Sequence, residues 1–254
     1  MAETEQFSMH VDVNQRDIDK EYYAELGANW DNSIGSPVDR LRAFTKYVPF
    51  AEFPKLFAKY ELFQKIRNIH GEIIECGVHQ GGGVMTWALL SSIFEPVNHV
   101  RKIVGFDTFE GFPELSPVDT DAYEHATEGA LAVDAYDDIK RAVKAYDMFR
   151  PLGHINKVKL VKGDATKTIP EYLEQNPHLV VAMLYLDFDI FIPTKKAIET
   201  LRERMPKGAI LAFDELYVKE WPGETKALHE TLGISSLKIE RFPFHPQISY
   251  AVLD

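Results

Sequence analysis

Apolar and polar positions along this chain fall into blocks that predict strands and helices in turn. Short apolar runs bounded by breakers occupy residues 72–77, 101–107, 157–161, 179–186 and 209–213. Runs of that length and continuity read as strands covered on both faces, the habit of a parallel sheet. Between them, helices are expected over 84–90, 134–149, 168–174, 193–205 and 223–232. Pro170 is expected in the first turn of its helix, where a missing N–H is tolerated. This alternation predicts an α/β fold, a doubly wound and mostly parallel sheet. Extended segments at 237–242 and 248–253, around Pro243 and Pro246, predict an antiparallel pair at the C-terminal edge.

Ahead of the sheet the pattern differs. A partly ordered arm with a short helix over 17–26 is expected, then an Asn/Asp/Gly/Ser loop to Pro37. Leu41, Phe44 and Val48, then Phe53, Leu56, Phe57, Tyr60, Phe63 and Ile66, recur at helical spacing. Pro49 and Pro54 interrupt them, so two or more helices with a break are predicted. The expected organisation is an N-terminal helical appendage over 1–70 and a catalytic domain over 71–254. The appendage would pack on the core, cover a second subunit in a homo-oligomer, or form a lid.

Composition narrows the class. The chain has 254 residues, 45% hydrophobic and 26% charged, ordinary values for a globular protein. No apolar run approaches the roughly 20 residues that span a bilayer, and residues 1–10 lack a signal pattern. The one cysteine, Cys76, excludes an internal disulfide framework and fits a reducing compartment. A cytoplasmic protein is expected. A net charge of −11 without a long Lys/Arg cluster argues against nucleic acid or an anionic membrane and for a small-molecule partner.

The candidate chemistry lies at the strand ends. Asp187 and Asp189 follow the fourth apolar run, and Asp214 and Glu215 end the fifth. Ligands in open α/β sheets sit beyond the carboxyl ends of the strands. Four acids gathered there need a cation, a proton or a positive substrate. Oxygen donors suit Mg²⁺, with Asp187, Asp214 and Glu215 as its ligands. Such an ion can hold two hydroxyls and acidify one. Asp189, pointing the same way as Asp187 along an extended segment, would take the proton. The alternative is that some of these acids are helix caps or solvated rim residues.

Glu75-Cys76-Gly77 and Gly81-Gly82-Gly83 follow the first strand. Glycines there allow a tight turn and a close ligand approach. An acid before them, with no Lys or Arg in the loop, suits an ammonium-bearing ligand better than a pyrophosphate. The alternative is a turn that only helps helix–sheet packing. Asp107 stands where an acid reads ribose hydroxyls, or it caps a loop. Asp164, after Gly163, would accept from an adenine amine, or serve as an N-cap. Together these positions fit S-adenosylmethionine. A nucleotide-dependent dehydrogenase is disfavoured by the glycine spacing and by Glu75.

The strings Glu75-Cys76-Gly77-Val78-His79-Gln80-Gly81-Gly82, Phe106-Asp107-Thr108-Phe109-Glu110-Gly111-Phe112-Pro113, Leu186-Asp187-Phe188-Asp189-Ile190-Phe191 and Phe213-Asp214-Glu215 resemble the macrocin O-methyltransferase family. Its members include mycinamicin and novobiocin sugar O-methyltransferases, and the resemblance covers about 38–253. It implies a class I methyltransferase, Rossmann-like fold. It implies S-adenosylmethionine and Mg²⁺ as cofactors and a sugar hydroxyl of an antibiotic, or its nucleotide-sugar precursor, as acceptor. Asp187, Asp214 and Glu215 correspond to metal ligands and Asp189 to the base. The candidate cofactor set is Glu75, Gly77, Val78, Gly81, Gly82, Asp107, Thr108, Phe109, Gly163, Asp164 and Asp187. Residues 45–48 stand where family members carry a cofactor-covering element. Two positions depart from the family's pattern. Phe188 replaces a glycine between the two acids, and Glu215 replaces an aspartate. A catechol, also a chelating diol, is the alternative acceptor.

Overall fold

A computed structural model describes residues 16–124 and 126–254. The expected arm ahead of residue 16 lies outside the described residues. The described residues form two compact units, one up to Lys55 and the other from Leu56 to Asp254. In the smaller unit, α1 (Asp17–Asn32) runs six residues beyond the expected 26 and ends only at Ser33. α2 (Pro37–Arg42) starts with proline in its first turn and a Ser36/Asp39 capping box. A 3₁₀ turn follows at Phe44–Lys46. Trp30 meets Tyr47 edge-on at 4.9 Å with Arg40 over its ring, and the Phe50 N–H donates to the Tyr22 hydroxyl.

α3 (Glu52–Ile66) lies mostly in the larger unit, where Ala58, Leu62, Phe63 and Ile66 are fully buried. β1 (Glu72–Cys76), α4 (Gly82–Phe94), β2 (Ile103–Asp107), a short α5 (Pro117–Thr120), α6 (Tyr136–Asp147), β3 (Val158–Lys162), α7 (Ala165–Gln175), β4 (Val181–Leu186), α8 (Phe191–Leu201), β5 (Ile210–Phe213), α9 (Gly223–Thr231), β6 (Glu240–Arg241) and β7 (Ser249–Val252) complete it. The seven strands run in the order β3-β2-β1-β4-β5-β7-β6. β1 to β5 pair in parallel, and β7 lies antiparallel on β5 with β6 outside it. The predicted doubly wound sheet with its antiparallel edge is therefore observed.

The alternation of side chains along each strand sorts the core into two layers. Ile73, Met183, Tyr185, Ile210 and Ala212 face α3, α4 and α6. Ile74, Cys76, Leu184, Leu186, Leu211 and Phe213 face α7, α8 and α9. β4 is buried at every position because it lies between β1 and β5 under both layers.

Local chemistry moved several predicted boundaries. Asp164 caps α7 by accepting the Thr166 N–H at 2.9 Å, so the helix starts three residues early and Pro170 lies inside it. α5 was not predicted. It is one turn, held by Ser116 and Asp119. Among the described residues no helix is long and apolar enough to cross a membrane.

Candidate active site

The carboxyl ends of β1, β2, β4 and β5 make one rim. Backbone contacts lock its two central loops together. The Asp187 N–H donates to the Cys76 carbonyl at 2.7 Å, and Asp214 N–H to the Leu186 carbonyl at 2.9 Å. Gly77, at φ +96°, passes so close that a Cβ would overlap the Asp187 carbonyl oxygen. Only glycine fits that conformation and that approach.

Four strand ends share a further feature. Each is followed by a non-glycine residue with positive φ: His79 at 47°, Phe109 at 56°, Asp189 at 64° and Tyr217 at 69°. At Asp189 the Ile190 N–H also donates to the Phe188 carbonyl at 2.7 Å. An i→i+2 bond across a positive φ is a γ-turn of the rare, strained hand. Such conformations cost about 1–3 kcal/mol each and persist only where their surroundings enforce them. The expectation that Asp189 continues an extended segment beyond Asp187 is corrected here, because the chain turns at Asp189. Two contacts enforce the turn. The Phe191 N–H donates to buried Asp119, whose other oxygen takes the Ser116 N–H and hydroxyl. Gly223 lies so near that an added Cβ would overlap the Asp189–Phe191 backbone.

The acids come together at this turn. Burial first, then the charges of Glu215 and Asp187 and a hydrogen bond with Glu215, push the Asp189 carboxyl well above the usual carboxylate range. The Tyr185 hydroxyl donates to Asp214 Oδ1, and its own ionisation is pushed well up by burial and then by Asp214. Phe188 packs against the α7–α9 layer.

A fifth acid, Glu224, was not a candidate from sequence. It is fully buried at the start of α9, and its carboxyl is raised by burial and then by Glu215 and Asp187. As an acid in a helix's first turn it has an ordinary reading as a dipole complement, which hides it. As the side chains stand, no three acids, histidines or cysteines among the described residues form a ready metal cage. The donor set nevertheless fits magnesium: every group is a carboxylate oxygen, and Glu224 Oε1 is buried without a hydrogen-bond partner.

On the cofactor side several candidates carry protein partners. Glu75, 2% exposed, pairs with Lys59 Nζ at 3.1 Å, with the Trp87 indole beside it and Gly83 against its carboxylate. Burial raises its carboxyl, and Lys59 opposes the rise. Lys59 also sits 3.8 Å over the Tyr185 ring. Its signal was present in the sequence, since Lys59 shares a helix face with Phe63 and Ile66. Asp107 ties loops together: Oδ2 accepts from the Val78 and His79 N–H groups at 2.7 and 2.8 Å, and Oδ1 from Phe109 N–H at 2.6 Å. The Thr108 hydroxyl donates to the Gly111 carbonyl, and Phe109 is buried against Tyr136. Gly163 N–H donates to the Asp107 carbonyl. Asp164 Oδ1 takes the Thr166 N–H and hydroxyl, and Oδ2 pairs with Lys167, so capping is its task in this structure. Gly81 caps α4 at φ +86°, and a Cβ on Gly82 would meet open space. Cys76 is buried, and its thiol is pushed well up by burial, which makes it unreactive.

Residues 61–231 match the family model described as macrocin O-methyltransferase. The chain belongs to this family. That span runs from within α3 to the end of α9 and holds every candidate acid named above. The crystal structure of CalS11, a calicheamicin methyltransferase, superimposes with a TM-score of 0.90 at 32% identity, over 94% of this chain and 93% of that one. The apo structure of CalS11, described as a TDP-rhamnose 3'-O-methyltransferase of calicheamicin biosynthesis, gives 0.81 at 29% identity over 94% and 95%. A curated relative from Streptomyces olivaceus, 8-demethyl-8-(2,3-dimethoxy-alpha-L-rhamnosyl)-tetracenomycin-C 4'-O-methyltransferase, is 26% identical over 153 residues, 58% of this chain. The chain spans about half (54%) of that relative's length. The matched span includes Phe188 and Glu215, the two positions at which the sequence was expected to depart from the family's pattern.

Proposed function

We propose that this protein is an S-adenosylmethionine- and Mg²⁺-dependent O-methyltransferase acting on a deoxysugar hydroxyl of a glycosylated natural product or its nucleotide-sugar precursor. The observation that carries the reading is Asp189, a carboxylate held in a strained turn among acids at the sheet's carboxyl rim. The sugar acceptors of CalS11 and of the tetracenomycin enzyme support the substrate class.

The loop from Gly77 to Gly82 would hold the methyl donor, with the residues of the candidate cofactor set around it. Bound S-adenosylmethionine supplies an electrophilic methyl group. Asp187, Asp214 and Glu215 would hold Mg²⁺, which lowers the pKa of a bound hydroxyl. Asp189 takes the proton from the acceptor hydroxyl, leaving the oxygen free to attack. A carboxylate surrounded by other acids is a stronger base than a solvated one. The Gly77–Asp187 contact keeps donor loop and base in fixed relation, so positioning contributes much of the rate. A cytoplasmic homo-oligomer belongs to the same reading. Phe57 and Tyr60, 48% and 40% exposed, are apolar surface suited to a partner subunit.

The test is product mass spectrometry on a panel of TDP-deoxysugars, glycosylated metabolites and catechols, with and without EDTA. Methylation of a sugar hydroxyl that EDTA abolishes is expected. Catechol-only products would overturn the acceptor class. Asp189→Asn is expected to lose turnover by a factor of about 10² or more while still binding cofactor. Normal turnover in that variant would remove Asp189 as the base.

A further inference from the structure

α9 starts against the strained turn. At Gly223 a Cβ would meet the Asp189 carbonyl oxygen and lie 2.6 Å from Phe191 N. Only a residue without a side chain fits there, and its closeness carries the next residue, Glu224, inside the rim. Glu224 has no solvent exposure. Its Oε2 accepts the Glu215 N–H at 3.0 Å, which fixes the carboxylate beside the acid pair after β5. Its Oε1 has no partner. The charges acting on it are those of Glu215, Asp187 and Asp214. Buried carboxylates are ordinarily paired with a cation or fully hydrogen-bonded, because desolvation is otherwise uncompensated. Here one oxygen is satisfied by the backbone, and the other is left among like charges.

We propose that Glu224 is a fourth carboxylate of the divalent-cation site, with Oε1 directed at the ion or at a water the ion keeps. The inference rests on the Mg²⁺-dependent reading above and extends it from the strand ends to α9. Magnesium retains several waters and seldom takes more than one or two carboxylates directly, so a surplus acid acts naturally through that water shell. α9 then has a task in the site: it brings a charge that neither acid pair at the strand ends supplies.

The experiment is calorimetric titration of Mg²⁺ and Mn²⁺ into the full chain, backed by Mn²⁺ electron paramagnetic resonance, for wild type, Glu224→Gln and Glu224→Asp. Glutamine preserves the volume and the acceptor for Glu215 N–H. Cation affinity is expected to fall 10- to 100-fold in Glu224→Gln, the range seen for groups supporting a metal's ligands. Glu224→Asp is expected to recover part of it. Without cation, Glu224→Gln should melt no lower than wild type, since it removes a buried like charge. Its gain in melting temperature on adding Mg²⁺ should shrink. Wild-type cation affinity in Glu224→Gln, or a lower melting temperature without cation, would overturn the proposal and leave Glu224 a packing residue. Absence of cation binding in the wild type would overturn the Mg²⁺ reading along with it.

Discussion

Lys59→Met is expected to destabilise the larger unit by about 3–5 kcal/mol, the cost of leaving one buried charge without its partner. Lys59 Nζ lies 3.1 Å from Glu75 Oε1, with side-chain exposures of 8% and 2%. At an effective dielectric of about 20, that distance corresponds to an attraction of about 5 kcal/mol. Desolvating two ions costs several kcal/mol each, so the intact pair nets little against an apolar substitute. Removing one partner is different, because the desolvation of the other stays. The faces of Tyr185 and Trp87, at 3.8 and 4.9 Å from Nζ, add a cation–π contribution of about 1–2 kcal/mol. Urea unfolding of wild type, Lys59→Met, Glu75→Gln and the double variant measures the pair directly. The double variant should be more stable than Lys59→Met, with a coupling energy of about 2 kcal/mol or more. The sign with pH follows from Glu75. Its folded carboxyl is raised, and losing Lys59 raises it further. A group with a raised folded pKa stabilises at low pH and loses that contribution as pH rises. The Lys59→Met deficit should therefore be smallest near pH 4 and grow towards neutrality. Additive single effects, or a deficit independent of pH, would refute the pairing argument.

Three further outcomes follow from other parts of the fold. Burial lowers Lys157 to about 8, while its Nζ donates to the Asn98 carbonyl. A lysine depressed in the folded state weakens stability below pH 8, and the penalty lifts as pH rises towards the unfolded value near 10.5. Lys157→Met should flatten the stability-against-pH curve across that window, and an unchanged curve would exclude Lys157 as its source. Gly223→Ala must move the Asp189–Phe191 backbone. It should cost about 2 kcal/mol or more and lower turnover, both read from thermal unfolding and initial rates. Asp107→Asn removes the charge that three loop N–H groups share and leaves at least one of them without an acceptor. It should cost about 1.5–3 kcal/mol, with faster amide exchange at residues 78, 79 and 109.

How much of this was legible in the sequence depended on how local the cause was. β4 and β5 were readable because Val-Ala-Met-Leu-Tyr-Leu and Ile-Leu-Ala-Phe are continuous apolar runs, as strands buried on both faces must be. The start of α7 was not, because it turns on a single hydrogen bond to Asp164. α5 escaped notice because four residues are too few to show a period. Asp187, Asp189, Asp214 and Glu215 were legible as rim acids, since position at a strand end is a local property. Their environment was not local. Lys59 meets Glu75 across 16 residues and Tyr185 meets Asp214 across 29. Glu224 became visible only once α9 was seen against the turn at Asp189. The bonds at Asp107 and Asp164 show the converse: an acid in a ligand's usual place can be held by the loop itself.

The four left-handed residues after β1, β2, β4 and β5 bear on how this enzyme can be engineered. Glycine or asparagine relaxes such a position at little cost, so each is a standing opportunity for stabilisation. Selection for heat resistance alone would be drawn to His79, Phe109, Asp189 and Tyr217, and would remove the proposed base among the first changes. A thermostable variant that still methylates must gain its stability elsewhere, in the layers beneath the sheet, and any library aimed at it should hold these four positions fixed.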